Sequence, residues 1–318
     1  MKRLYTYSLL LMLAVPVTAW SNASELAATE FQQVDDDDDV LLIDGSRIEI
    51  HYSSPSLLSI RERLRDWIGY SAQAVQHYYG RFPVKRVSLS LLGFDGGGVD
   101  GGRQMGGELP ILNVTVGSRS SVAELRDDWI MVHEMVHLAL ADLPQYNRWL
   151  EEGLAVYVES VARAQVGHID EDFVWRGFLR GMPHGMPRSG DRGLNFTPTW
   201  GRTYWGGGLF CLLADIEIRK LTNNRYSLRD ALRAIINNGY STNVDSHAQP
   251  LLEVADAAVG VDVLVPLYDK MSKDPGTPTL DSIWKSLGVS LNGDRVVYDD
   301  QAPLAHIRRA LLVTPADT

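Results

Sequence analysis

Two histidines and a glutamate carry the first chemical signal in this sequence. They fall in Trp129-Ile-Met-Val-His-Glu-Met-Val-His-Leu-Ala-Leu140, where every other residue is apolar. On a helix turning about 100° per residue, His133 and His137 project roughly 40° apart, with Glu134 beside them. A helix apolar all round is buried, so these three side chains form a narrow polar strip in the interior. Buried polar groups need partners, and a metal ion suits two imidazoles spaced i, i+4. The pattern is H-E-x-x-H, in which zinc sits on the histidines and the glutamate serves as general base. The competing reading is a core helix with two hydrogen-bonded histidines.

Two histidines leave zinc short of a third protein ligand. The next segment, Arg148-Trp-Leu-Glu-Glu-Gly-Leu-Ala-Val-Tyr157, offers acids that a following helix can present. H-E-x-x-H followed by W-L-x-E-G resembles the glutamate-zincin (gluzincin) peptidases. The resemblance implies that the glutamate before the glycine, Glu152, is the third ligand. Glu151 would then point about 100° away, towards solvent or a substrate group. Further on, Tyr204-Trp-Gly-Gly-Gly-Leu-Phe-Cys-Leu-Leu-Ala-Asp-Ile-Glu-Ile-Arg219 leads into Ser227-Leu-Arg-Asp230. This run is similar to the catalytic domain of the glycyl aminopeptidase family and, more distantly, to the aminopeptidase N family. The resemblance covers roughly residues 121 to 240. It implies that Tyr204 stabilises a tetrahedral intermediate, with Trp205 standing where the relatives usually carry a lysine. Met105-Gly-Gly-Glu108 loosely resembles the glycine-rich, acid-ended element of the aminopeptidase N family, which implies Glu108 as an anchor for a substrate amine.

Other segments must position these groups. Val40 to Tyr52 reads as a strand pair or bent strand through Asp44-Gly45. Pro55 to Tyr79 has helical spacing in Leu57, Ile60, Leu64, Trp67, Ile68, Ala72 and Val75, and Gly80 and Pro83 stop it. Val84 to Leu92 alternates as a strand. Gly93 to Gly107 holds seven glycines from Gly96 onward and lacks the Lys-Ser/Thr of a phosphate loop. It reads as a flexible connector or a substrate-facing rim. Leu109 to Gly117 then forms a strand beside the cleft, of the kind on which a peptide adds by backbone pairing.

Ser121-Val-Ala-Glu124 is a capping box that starts the active helix, and Leu143-Pro144 ends it. A second helix runs from about Asn147 to Gln165, with Tyr157 as packing and Glu159 as support behind the site. Residues 168 to 203 are rich in Gly, Pro and Arg and read as a wall or lid of the cleft. His184 within it is placed to touch substrate or to serve as an ordinary loop histidine. Short helices follow around 228–237, 250–259 and 263–271, with terminal elements at 281–287 and 303–312 around a Gly293-Asp294 turn.

The fold class expected is α+β, a zincin-like catalytic domain over 40–318. Its sheet lobe, small and mixed or antiparallel, spans 40–120, and its mainly helical lobe spans 121–318. The 318 residues, 45% hydrophobic and 22% charged, suffice for a sizeable core. Met-Lys-Arg, an apolar run from Leu9 to Val17 and small residues thereafter read as a signal peptide over 1–23. That run is too short to span a bilayer, so the expectation is export to the periplasm or beyond without stable membrane insertion. Residues 24–39, ending in five aspartates, read as an acidic disordered tether. Cys211 is alone and reads as a small core residue.

Half of the net charge of −10 comes from the aspartate run, and no basic patch argues for nucleic acid or anionic lipid as partner. The function expected is hydrolysis of a peptide or protein substrate with one zinc ion, Glu134 as base and Tyr204 as oxyanion donor. The alternatives are a non-peptide amide as substrate, a plain structural protein, and a zinc protein that binds a cell-envelope partner without turnover. Glu134 and Tyr204 weigh against the last, since neither is needed to hold zinc.

Overall fold

The computed structural model describes residues 39–276 and 279–313. The expected signal peptide and nearly all of the tether lie outside the described residues. Strands β1 (Asp39–Ile43) and β2 (Ser46–Tyr52) form an antiparallel hairpin. Its two-residue turn places both Asp44 (φ 50°) and Gly45 (φ 77°) in the left-handed region, the turn whose twist matches that of paired strands. β1 opens on the last aspartate of the charge run. Asp39 is only 5% exposed because Tyr52 (2.6 Å), Arg61 (2.8 Å) and Arg65 surround its carboxylate. A buried charge is tolerable when so paired.

Helices α1 (Pro55–Leu58) and α2 (Arg61–Tyr79) divide the single helix expected over 55–79. Gly80, at φ 78°, ends α2. Strands β3 (Arg86–Phe94), β4 (Val99–Met105) and β5 (Ile111–Gly117) complete a five-stranded sheet in the order β1-β2-β3-β5-β4. The three central strands run parallel, and the outer two are antiparallel to their neighbours. Val87, Leu89 and Leu91 of β3 alternate into the core, as do Leu112, Val114 and Val116 of β5. Leu64, Ile68, Ala72 and Val75 of α2 join the same core.

The glycine-rich segment is therefore a strand, and the sheet's edge is β4 rather than the strand at 109–117. Glycine disfavours strands in general, but β4 takes its order from backbone pairing with β5, from Val99 opposite Val116 to Met105 opposite Ile111. Next come α3 (Val122–Asp127) and α4 (Ile130–His137). The Ser121 capping box starts α3, not the histidine helix. An extended Asp128 separates the two, and its carboxylate accepts from the amides of Ile130 (2.9 Å) and Met131 (3.0 Å). The histidine helix thus has its own cap and stops at His137, short of the expected Leu143.

The helical part continues through α5 (Arg148–Gln165), α6 (Glu171–Gly181), α7 (Gly207–Thr222), α8 (Leu228–Asn237), α9 (Ala248–Val259) and α10 (Leu264–Lys273). After α11 (Leu280–Leu287) comes a hairpin of β6 (Val289–Asn292) and β7 (Arg295–Tyr298), then α12 (Ala305–Leu311). The 168–203 segment is largely ordered structure. It contains α6, a 3-10 turn at Met182–Gly185 and the start of a π turn, Arg202–Gly206, that runs into α7. Arg202 fixes this wall by donating to the Gly185 carbonyl (2.6 Å) and pairing with Asp191 (2.9 Å).

Candidate metal and catalytic site

The site forms where α4, α5 and the π turn meet beneath β4. Helices α5 and α7 cross on bare backbone. A Cβ on Gly153 would fall 2.2 Å from the Gly207 carbonyl carbon, and one on Gly207 would fall 2.0 Å from the Trp149 carbonyl oxygen. This close approach is why glycines follow Glu152 and Tyr204 in the sequence, and it brings those two residues together.

His133 and His137 leave α4 one turn apart, and both rings face Glu152 of α5. Glu152 Oε2 lies 3.3 Å from His133 Nε2 and 3.5 Å from His137 Nε2. Its other oxygen, Oε1, accepts from Arg148 at 3.1 Å. The three ligand atoms lie within 4.8 Å of one another. Burial works against a charge on Glu152, yet the two imidazoles hold its carboxyl well below the usual range. Burial likewise disfavours charge on His137, yet Glu152 and the neighbouring Glu134 and Glu151 raise it above its ordinary value. A carboxylate facing two ring nitrogens can accept their N–H groups or share a cation with them. Two imidazoles and one carboxylate, buried and convergent, are the donor set of a catalytic zinc site with a fourth position left open.

Glu134 points from α4 towards the edge strand and is 8% exposed. A Cβ on Gly102 of β4 would fall 2.5 Å from Glu134 Cγ and 2.8 Å from Ile130 Cγ2. Glycine at 102 is what lets the strand pass directly over this side chain. Tyr204 sits in the π turn with its ring nearly parallel to that of His133, centroids 6.5 Å apart. Its hydroxyl contacts Arg148 and Glu152. Burial and the Glu152 charge push its pKa up to about 12, against a smaller opposing pull from Arg148. The phenol keeps its proton at neutral pH and can donate it.

Glu151 turns away from the three candidate metal ligands, as its helical position requires. It is half-buried, and its carboxylate accepts from the Leu143 amide at 2.9 Å, which pins the α4–α5 connection. Tyr157 is packing, with its hydroxyl on Asp215 at 2.8 Å. Glu159 pairs with Arg163 at 2.6 Å one turn along α5. Cys211 is a buried free thiol. His184 is exposed on its 3-10 turn, edge-on to Trp200 at 5.7 Å, and lines a cavity beside His133. Glu108 is exposed in the connection between β4 and β5 and lines no part of that cavity.

A solved structure of an aminopeptidase N family protein from Idiomarina loihiensis superposes with a TM-score of 0.56 over 79% of this chain and 49% of that one, at 12% identity. The two share one fold. An M1 zinc metallopeptidase from Deinococcus radiodurans gives a TM-score of 0.46 at 15% identity, over 76% of this chain and 52% of that one. The chain thus spans about half the length of these solved relatives. No protein-family model matches the sequence, and no curated protein matches it either.

Arg148 and the aromatic residues Trp200 and Trp205 of the site carry no motif of their own. The signal for Arg148 is its spacing, one helical turn before Glu152. Trp200 and Trp205 reach the site only through the crossing of α5 and α7 and the path of the π turn.

Proposed function

We propose that this protein is an exported zinc metallopeptidase of the gluzincin type. The observation that carries the reading is the convergence of His133, His137 and Glu152 with Glu134 and Tyr204 on one buried spot. His133, His137 and Glu152 would hold the metal. Zinc bound there supplies a Lewis acid for the scissile carbonyl and acidifies water towards neutral pH. Glu134 takes a proton from the attacking water and passes it to the leaving amine. Tyr204 donates its hydroxyl proton in a hydrogen bond to the developing oxyanion. The β4 edge, with Gly102 above Glu134, leaves backbone groups free to pair with an extended peptide. Export to the periplasm or beyond rests on the basic, apolar and small-residue pattern of residues 1–23.

The test is digestion of a mixed peptide library by the zinc-loaded chain, with cleavage sites read by mass spectrometry. Glu134→Gln keeps the shape and the ligand set but removes the base. Turnover should fall roughly 10²- to 10⁴-fold while zinc content stays at one per chain. A zinc-loaded Glu134→Gln protein with undiminished turnover would refute the mechanism.

A further inference from the structure

Beside His133 and Tyr204 the helical part encloses a cavity of about 300 Å³, at the small end of the range for ligand sites. Its walls come from four elements, the start of α4, α5, α6 and the π turn with the segment before it. Val156, Phe173, Phe178, Trp200, Trp205 and Trp129 supply most of the lining. Phe173 and Trp200 of this wall are 41% and 43% exposed. Arg163, Glu159, Ser160 and Arg180 of the wall are already paired. Arg163 pairs with Glu159 and also donates to the Asp127 carbonyl (3.3 Å), Ser160 donates to Glu159 (2.8 Å), and Arg180 pairs with Asp294. An incoming charged side chain would lose its water and find these charges already paired.

The cavity has a simple origin in α6. Gly177 and Gly181 are four residues apart and so share one face of the helix. A Cβ on Gly181 would fall 2.1 Å from the Trp205 ring, which fills that notch. A Cβ on Gly177 would meet nothing within 4 Å. The missing side chain at 177 is left as open space in the wall of the cavity that His133 also lines.

We infer that this cavity receives a large apolar side chain, aromatic or long aliphatic, from the residue flanking the scissile bond, and that Gly177 sets its size. The inference rests on the peptidase reading, because it makes the cavity a specificity pocket for that reaction. A glycine or alanine at the same substrate position leaves the space unfilled, and a charged residue enters without a partner.

The test pairs hydrolysis with binding on the full zinc-loaded chain. Peptides differing only at the residue next to the cleaved bond are compared between wild type and Gly177→Leu. Leucine is a better helix former than glycine and its Cβ meets open space, and the variant's melting temperature serves as the check that it folds. Wild type should prefer phenylalanine or leucine over glycine by at least about tenfold in kcat/KM, since one methylene in such a pocket already discriminates at that level. Gly177→Leu should cost the large-residue peptides at least tenfold and leave glycine and alanine peptides within about threefold.

In the binding arm, N-acetyl-phenylalanine amide should perturb the fluorescence of the tryptophans lining the cavity in wild type. It should not do so in Gly177→Leu, and N-acetyl-glycine amide should not do so in either. Hydrolysis without preference at the flanking residue, or with a preference that Gly177→Leu leaves intact, overturns the inference and spares the peptidase reading. Absence of hydrolysis with selective, Gly177-dependent binding overturns the peptidase reading and keeps the pocket. Absence of both, in folded and zinc-loaded protein, overturns both.

Discussion

At the scale of single residues, Arg148 ties the candidate ligand Glu152 to the candidate oxyanion donor Tyr204. It takes one carboxylate oxygen, so that the other is left for the histidines, and it also bonds the Tyr204 hydroxyl. Burial works to lower its pKa, but Glu152 and Tyr204 raise it, so its charge is secure. Arg148→Met keeps the stem and removes the fork. Partners of this kind are typically worth 10- to 100-fold in metal affinity or activity. Zinc affinity, measured by competition with a chelator, should weaken by about that factor, and kcat should fall similarly. Combined with Tyr204→Phe, the losses in kcat should fall short of additivity, because both changes break the same contact. Lysine, a point charge without the planar fork, should restore little. Normal zinc affinity together with additive kcat losses would remove Arg148 from this role.

At the scale of elements, legibility followed the signal each segment carried. Helices α2, α5, α8 and α9 were readable because their apolar residues recur at helical spacing, and the H-E-x-x-H pattern marked α4 outright. Strand β4 was not, since glycines give neither side-chain alternation nor strand preference. Its order comes from pairing with β5 and from the need to clear Glu134. Helix α6 was obscured by the Gly, Pro and Arg around it. Yet its start was written in the sequence, where Asp170 accepts from the Phe173 amide at 2.7 Å and two acids occupy the first turn. The boundary of α4 shows a further limit. The capping box at Ser121 was real, but it served a neighbouring helix, and Asp128, with no motif around it, did the work at α4.

That cap leads to an element-scale prediction. Burial pushes the Asp128 pKa from 3.8 up to about 6, against the opposing pull of the two amides and Arg163. A carboxyl whose folded pKa is raised stabilises most below its ordinary value and loses that contribution as pH rises through the folded pKa. Asp128→Asn cannot titrate, and it offers one amide acceptor in place of two oxygens. The melting-temperature advantage of wild type over Asp128→Asn should therefore grow as pH falls from about 7 to 4.5. A constant difference, or one that grows towards alkaline pH, would show that the buried carboxyl does not titrate in this way.

At the scale of the whole molecule, the sheet, α2 and the helical part share one core, and the candidate metal ligands stand at its junction. Helices α5 and α7 are joined there by the Gly153–Gly207 contact and by the buried run Tyr157–Asp215–Arg219, with distances of 2.8 and 2.9 Å. Stability should thus be linked to occupancy of the ligand set. Without metal, Glu152 is held charged and His137 has a raised pKa. The Glu152 contribution is present above its ordinary value of 4.5 and is lost as pH falls through the depressed one. The His137 contribution runs the other way. It is full below the ordinary value of 6.5 and is lost as pH rises through the raised one.

The metal-free protein should therefore gain its greatest support from this pair in mildly acidic solution, between those two values. Zinc requires the imidazoles neutral, so protons compete with it throughout that range and stop competing only as pH rises through the raised His137 value. A ligand that binds only the folded state stabilises it in proportion to the logarithm of its occupancy ratio. The rise in melting temperature between chelator-treated and zinc-saturated protein should consequently be smallest near pH 5.5 and increase through pH 6.5 to pH 8. Melting curves at those three values, with zinc held at one free concentration, measure it. An increment that is flat or shrinks with pH would mean that zinc does not displace a proton from His137, and that the ligand set drawn here is wrong.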